Sequence, residues 1–325
     1  MENSAKVKTN LKGITDGEAY YEEYCNNGNI PFDDDRGSKS FLVSAGYPSP
    51  VISDMNSEIA GFYLNGTTYT DVAVLSVVGF APYVPEEYQF VAETFFANAA
   101  KDGKKKLVID LSKYIRWFMI HFGLQLIGAN GGGYVLQGYD LFRQLFPSIV
   151  QAGISRFRDS ETFLEIAKVI NGKIPANYDP KTADYDTINL YESFFNYRYD
   201  FNINNKPFKS FEDKFPNGQL YSSLLRWNLD NELTTFNASW GLGINITGYG
   251  NRTDFKQPFK TENIIILTDG YCASTCSLFV DFMRAAGVKT ITMGGRPQPG
   301  WIQAVGGVKG SQSLTFNGEL FLRSL

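Results

Sequence analysis

The sequence predicts an α/β domain in which strands and helices alternate around a buried sheet. Three observations carry that prediction. Two continuous apolar runs with β-branched bias, Val72-Ala-Val-Leu-Ser-Val-Val78 and Leu107-Val-Ile-Asp-Leu111, have the character of strands buried on both faces. Between them, Tyr88, Val91, Ala92, Phe95, Phe96 and Ala99 recur at helical spacing and make one apolar stripe over Pro85 to Ala100. The alternation returns late in the chain, with a strand over Asn263 to Leu267, a helix over Thr275 to Ala286 and a strand over Thr290 to Met293.

Taken in order, residues 1–68 are polar and turn-rich, with Asp33-Asp-Asp-Arg-Gly37, and read as the remnant of an N-terminal region. The core is expected over 69–325. Pro85 suits the first turn of its helix, and Lys101 and Gly103 suit its end. Leu136 to Phe146 reads as a helix that Pro147 stops, and Glu161 to Asn171 as a shorter one. From 176 to 260 the chain is rich in Asn, Asp, Tyr and Phe with weak periodicity, so it is expected to be a long, largely irregular excursion or cap. No internal repeat is evident.

With 325 residues the chain can bury a large core, and its 26 Phe and 19 Tyr imply a core and clefts built from rings. A net charge of -4 argues against a nucleic-acid partner, and Lys104-Lys-Lys106 reads as a solvated strand entry. The cysteines, Cys25, Cys272 and Cys276, have no zinc-site spacing, and the sole histidine, His121, completes no metal cluster. Neither a metal nor an organic cofactor is implied. Cys272 and Cys276 are expected to be buried free thiols, a disulfide between them being the alternative. The start of the chain shows no apolar signal segment, and Tyr114 to Ile127 is too short for a membrane span and carries Arg116 and His121. N-glycosylation sequons at Asn65, Asn237, Asn245 and Asn251 are compatible with a secretory or extracellular history. About two or three would arise by chance in a chain this rich in Asn and Thr.

Two short stretches could carry chemistry. In Ile264-Ile-Ile-Leu-Thr-Asp-Gly-Tyr-Cys-Ala-Ser-Thr-Cys-Ser-Leu-Phe279 an apolar strand enters a tight turn, and a helix follows at once. That arrangement lifts the Ser274 hydroxyl to the mouth of a sheet and sets the Thr275 amide beside it, as an activated nucleophile and an oxyanion donor require. The same serine is equally readable as an ordinary helix N-cap. The second stretch is Asn130-Gly-Gly-Gly133, whose backbone amides could approach a ligand oxygen closely. It lacks both the Gly-Lys-Ser/Thr ending of a phosphate loop and the G-x-G-x-x-G spacing of a dinucleotide fingerprint. A turn without any ligand remains the other reading.

Together the stretches say more. Strand, helix, Leu-Val-Ile-Asp-Leu, Asn-Gly-Gly-Gly, helix, then strand, serine turn and helix is an order that resembles the S41 family of serine peptidases, the tail-specific or C-terminal-processing proteases. It is most similar to their fungal branch, related to the chlamydial protease-like activity factor. The resemblance covers about 70–112, 129–150 and 262–310. It implies a ClpP/crotonase-like fold of stacked β-β-α units and a peptide or protein substrate attacked by Ser274 to give an acyl-enzyme. It also implies oxyanion donors at the amides of Thr275 and of Gly131 or Gly132. S41-like proteins of filamentous fungi also process precursor peptides in secondary metabolism, which makes such a peptide an expected substrate.

The resemblance stops at the general base, which no residue matches. Where tail-specific members have a lysine, this chain offers Arg296, which stays protonated, and Lys309, whose context differs. No histidine precedes His121, and Glu319 is the only late carboxylate. The expectation is a chain lacking both flanks of a longer enzyme, with a non-catalytic peptide-binding relative as the alternative. Lys113 to Gly128 interrupts the strand-and-glycine motif and reads as an insertion of the kind a translated intron would leave. A crotonase-type acyl-CoA enzyme is a third reading, but no acidic residue or basic groove for a thioester is visible. Specificity pockets are expected from the rings between Tyr191 and Trp227, most of which read as core.

Overall fold

A six-stranded sheet organises the computed structural model of the chain, whose described residues are 47–112, 130–150, 153–293, 300 and 305. In chain order its first four strands are β1 (Ile52–Ser53), β2 (Ile59–Tyr63), β3 (Val72–Val77) and β4 (Lys106–Asp110). Strands β5 (Phe201–Asn202) and β6 (Leu225–Arg226) pair apart from it, and β7 (Ile264–Thr268) and β8 (Lys289–Thr292) complete it. The spatial order is β1-β2-β3-β4-β7-β8. The first three strands are antiparallel, whereas β3, β4, β7 and β8 run parallel, so the sheet is mixed and the domain is α/β. In register, Leu75 faces Ile109 and Ile109 faces Ile266.

Helix α1 (Pro85–Lys101) crosses from β3 to β4 and buries the predicted stripe, Tyr88, Val91, Ala92, Phe95, Phe96 and Ala99, with Gln89 added. Strand β3 is buried on both faces from Ala73 onward, which is why its sequence is a continuous apolar run. The core sheet starts earlier than residue 69. Strand β2, Ile-Ala-Gly-Phe-Tyr, is buried over its first four residues and pairs with β3 from Ile59↔Val77 to Tyr63↔Ala73. A five-residue strand covered on both faces shows no alternation, so its sequence carries no strand signal. Gly61 is there because the ring of Phe95 lies on it: a Cβ would stand 2.1 Å from the ring edge.

Helix α2 (Val135–Leu145) is buried all round from Leu136 to Leu145 and packs against both α1 and the later helix over Thr275–Ala285. Some of its polar side chains are bonded to the excursion or to one another, whereas the buried Gln137 amide has no hydrogen-bond partner among the described residues. Asp140 Oδ1 accepts from the Thr247 amide and hydroxyl, both at 2.8 Å, and Asp140 Oδ2 accepts from Gln144 at 2.9 Å. The Arg143 guanidinium donates to the Thr247 carbonyl. These bonds, with Gln89 donating to the Asn245 carbonyl at 2.9 Å, tie the end of the excursion to the core helices.

The segment 153–260, which includes the excursion, holds α3 (Glu161–Lys173), α4 (Tyr185–Tyr191), α5 (Phe211–Lys214) and the β5–β6 ribbon, and most of the rest is turn. Phe157, Phe163, Phe194, Phe195 and Phe215 form its own cluster. Beside that cluster the wholly buried Lys214 ammonium donates to Asp200 at 2.6 Å, to the Phe194 carbonyl at 2.8 Å and to the Asn196 carbonyl at 2.9 Å. Three acceptors satisfy its three donors, which burial of such a charge requires. The last helix, α6 (Thr275–Ala285), crosses from β7 to β8. Among the described residues no helix is long and apolar enough to cross a membrane.

One carboxyl in the excursion has a pH consequence. Burial pushes Glu192 up to about 7 from an ordinary 4.5, against a hydrogen bond from Asn231 that lowers it. A carboxyl raised in the folded state stabilises the fold fully below its unfolded value, and that contribution is lost as pH rises through the folded value. Stability should therefore fall as pH climbs from about 4.5 to about 7, more steeply than in Glu192→Gln. Urea denaturation midpoints across that window would check it; parallel profiles for the two proteins would contradict it.

Candidate active site

The parallel strands β3, β4 and β7 end at one edge, where open α/β sheets present their ligand-binding loops. Strand β4 leaves the sheet through Asp110, which is almost wholly buried. Its Oδ1 accepts from the Ser112 amide at 2.9 Å and from the Ser112 hydroxyl, and its Oδ2 accepts from the Tyr47 hydroxyl at 2.7 Å. The exit of the strand is thereby pinned. Positions 113–129, with His121 and the proposed insertion, lie outside the described residues, as do Cys25, Arg296, Lys309 and Glu319.

The loop is next seen at Asn130, whose side chain is fully buried. Its Nδ2 donates to the Val77 carbonyl at the end of β3 at 2.9 Å, and its Oδ1 accepts from the Gly132 amide at 3.2 Å. Its backbone carbonyl accepts from the Ala273 amide at 3.0 Å. One residue thus links β3, the glycine loop and the serine turn. The loop also makes a strand-like bridge, Phe80 donating to the Gly132 carbonyl at 2.8 Å and Tyr134 to the Phe80 carbonyl at 2.7 Å.

Opposite lies the turn between β7 and α6. Ser274 sits at φ 52°, ψ −124°, a region that a residue with a side chain seldom occupies. Holding it there costs on the order of 1–3 kcal/mol, and such strain gathers at functional sites. It occupies the N-cap position of α6, but its hydroxyl makes no capping hydrogen bond. The helix amides that follow have no intrahelical partner, Thr275 first among them. The Thr275 hydroxyl instead donates to the Gly133 carbonyl at 2.7 Å.

Gly132 closes the two loops on each other. At φ +90° it has no Cβ, and one would stand 2.6 Å from the Thr275 nitrogen, 2.7 Å from the Ala273 oxygen and 2.8 Å from Ser274 Cβ. Ser274, Thr275 and the glycine run therefore share one small space. Within it the amides differ. Gly132, one of the two loop donors the sequence suggests, already gives its N–H to Asn130. Among the described residues the Gly131 and Gly133 amides have no acceptor, and Gly131 is exposed. Sequence reasoning found the Asn130–Gly133 stretch but gave the Asn130 side chain no role and chose Gly131 or Gly132 over Gly133, although an Asn before a glycine run is a known source of side-chain-to-backbone bonds.

Cys272 and Cys276 are disulfide-bonded and wholly buried, which corrects the expectation of free thiols. Four residues spanning a turn and the first helical residues bring their Cα atoms to 5.2 Å, within the range that a disulfide needs. The bond encloses Ala273, Ser274 and Thr275, so the strained serine is held from both sides. No His, Lys, Asp or Glu among the described residues hydrogen-bonds the Ser274 hydroxyl, which leaves the general base unassigned. Of the rings between Tyr191 and Trp227, most of which read as core, several pack internally: Phe194 on Phe195, Phe215 on Phe163, and Tyr191 on Tyr178 at 3.8 Å.

Two outcomes follow from the geometry. Gly132→Ala should slow modification of Ser274 by a fluorophosphonate about 100-fold or more, because the added Cβ pushes the neighbouring loop amides away from the serine turn and removes an oxyanion contact; rate constants test it, with circular dichroism to separate this loss from unfolding. Replacing both cysteines, Cys272→Ala with Cys276→Ala, should lower stability by about 2 kcal/mol, as expected for opening so small a loop, in denaturant titrations. The same pair should also slow that modification, because the turn loses its tie.

No protein-family model matches the chain. Among curated proteins it is similar to the peptidase S41 family protein ustP of Aspergillus flavus, at 33% identity over 275 residues, covering 82% of this chain and 52% of that protein. It is 30% identical over 285 residues to each of the peptidase S41 family proteins phomP1' and phomP1 of Diaporthe leptostromiformis, covering 82% of this chain and 37% of each relative. The chain thus spans about half or less of the length of the curated relatives it matches. Over that shared length it belongs to the peptidase S41 family.

Proposed function

We propose that the chain carries the nucleophile and oxyanion-binding core of a serine endopeptidase. The carrying observation is the strained Ser274 with its uncapped hydroxyl, held against Gly132 and beside amides without acceptors. Ser274 Oγ attacks the carbonyl carbon of a peptide bond while a base takes its proton. The carbonyl oxygen becomes an oxyanion, and the Thr275 amide stabilises it with the loop amide of Gly131 or Gly133, aided by the positive end of α6. Collapse of the tetrahedral adduct breaks the C–N bond, and the leaving amine takes up the proton. Water then hydrolyses the acyl-serine and frees the hydroxyl.

The base in this reading comes from outside the described residues, since serine without one is a poor nucleophile. The mixed sheet with helices crossing between parallel strands is compatible with a ClpP/crotonase-like core of stacked β-β-α units. We read the substrate as a peptide, with a precursor peptide of fungal secondary metabolism as the specific form; the resemblance and the fungal sources of the relatives support this. The buried disulfide supports maturation in an oxidising compartment, and two sequon asparagines, Asn65 and Asn251, are exposed there for glycosylation. A second reading, a peptide-binding relative without turnover, is favoured by one observation: among the described residues nothing hydrogen-bonds the Ser274 hydroxyl.

A fluorophosphonate probe separates them. Covalent labelling that disappears in Ser274→Ala is the expected result. If neither this chain nor a version extended on both sides is labelled, while both bind peptides equally with and without the hydroxyl, the binding reading replaces the peptidase.

A further inference from the structure

Beside the glycine loop lies a cavity of about 390 Å³ whose walls include Tyr83, Glu86, Tyr134, Leu242 and Gly243. Tyr134 is two residues from Gly132, so their Cα atoms are at most about 7.6 Å apart. Tyr83 follows Phe80, the residue bridged to Gly133. The cavity therefore opens next to the space that Ser274 and the loop amides share. A second cavity of about 350 Å³ adjoins it, with Glu86 and Gly243 in both walls.

The chemistry of the first cavity is specific. Tyr83 is 80% exposed and Tyr134 46% exposed, and neither ring packs on another ring among the described residues. Glu86 makes no hydrogen bond or ion pair among them, although Glu93, the other carboxylate nearby, is neutralised by Arg252 at 2.9 Å. Gly243, at φ +75°, makes room for the Glu86 carboxylate, since a Cβ there would stand 2.4 Å from Oε1. A carboxylate in the first turn of α1 without an ion-pair partner among the described residues, beside two exposed aromatic faces, suits a cation on an apolar stem: the methylenes lie along the rings and the charge reaches the carboxylate.

We infer that this cavity is a substrate subsite that takes a lysine or arginine side chain of the peptide, with Glu86 pairing its charged head and Tyr83 and Tyr134 flanking its stem. The inference rests on the peptidase reading for its position relative to the scissile bond, but binding alone can test it. An exposed ion pair and a cation–π contact each contribute modestly, so together they set a preference of about tenfold, equivalent to about 1.4 kcal/mol.

The test uses the whole chain carrying Ser274→Ala, so that binding is read without turnover. Fluorescein-labelled alanine-based hexapeptides bearing one Lys, Arg, norleucine or Glu at each position are titrated by anisotropy. At one position Lys and Arg should bind about tenfold tighter than norleucine. Glu86→Gln should reduce that preference below about threefold, and Glu86→Lys should turn it toward Glu. Tyr83→Leu with Tyr134→Leu should weaken the Lys and Arg peptides most. Equal binding of Lys and norleucine peptides at every position, or a basic preference that survives Glu86→Gln, overturns the subsite. Fluorophosphonate labelling of Ser274 in the otherwise wild-type Glu86→Gln protein reports separately on the peptidase reading, because Glu86 takes no part in that modification.

Discussion

The site depends on a position with no room for a side chain. Gly132 lies where any Cβ would overlap the Thr275 nitrogen, the Ala273 oxygen and the Ser274 side chain. Because only glycine fits, the loop after β4 comes into backbone contact with the turn after β7, and a hydroxyl and several amides meet in one place. Asn130 keeps them there, with bonds to Val77, Gly132 and Ala273. The disulfide and these bonds offset the backbone strain at Ser274, which would otherwise relax toward an ordinary turn.

The scaffold explains why the meeting point is at that edge. Parallel strands joined by helices all release their loops at their carboxyl ends, so β3, β4 and β7 contribute neighbouring segments without any special device. Helix α2 begins directly after the glycine loop and is buried on every side. Gly138 lets it approach Thr275 closely, since a Cβ there would stand 2.6 Å from the Thr275 methyl. The two helices that flank the candidate site are thereby packed on each other.

The aromatic residues around the excursion and those near the candidate site differ in role. Phe157, Phe163, Phe194 and Phe195 are half-buried and cluster with the buried Phe215, and the rings of Phe157 and Phe215 lie against the Lys214 ammonium that pairs with Asp200. The rings nearest the candidate site come instead from the core, at Tyr83 and Tyr134, while the excursion contributes Leu242 and Gly243 to the opposite wall. The cavity proposed as a subsite is thus walled by a core edge and by a segment anchored to it through Asp140 and Thr247.

By itself the sequence determined what periodicity and local chemistry can carry. The apolar runs became β3, β4 and β7, the six-residue stripe became the buried face of α1, and the serine after a strand began α6. The two-residue edge strand β1 and the five-residue β2, covered on both faces, left no pattern to read. Tertiary structure alone decided which alternatives at the site were realised. Ser274 takes the N-cap position without a capping hydrogen bond, Cys272 and Cys276 are bonded, and Gly132 spends its amide on Asn130 while its neighbours keep theirs. The physical reason is distance along the chain. A helix or strand follows from residues a few positions apart, whereas the Thr275 hydroxyl and the Gly133 carbonyl are 142 residues apart and meet only when the sheet brings two strand ends together.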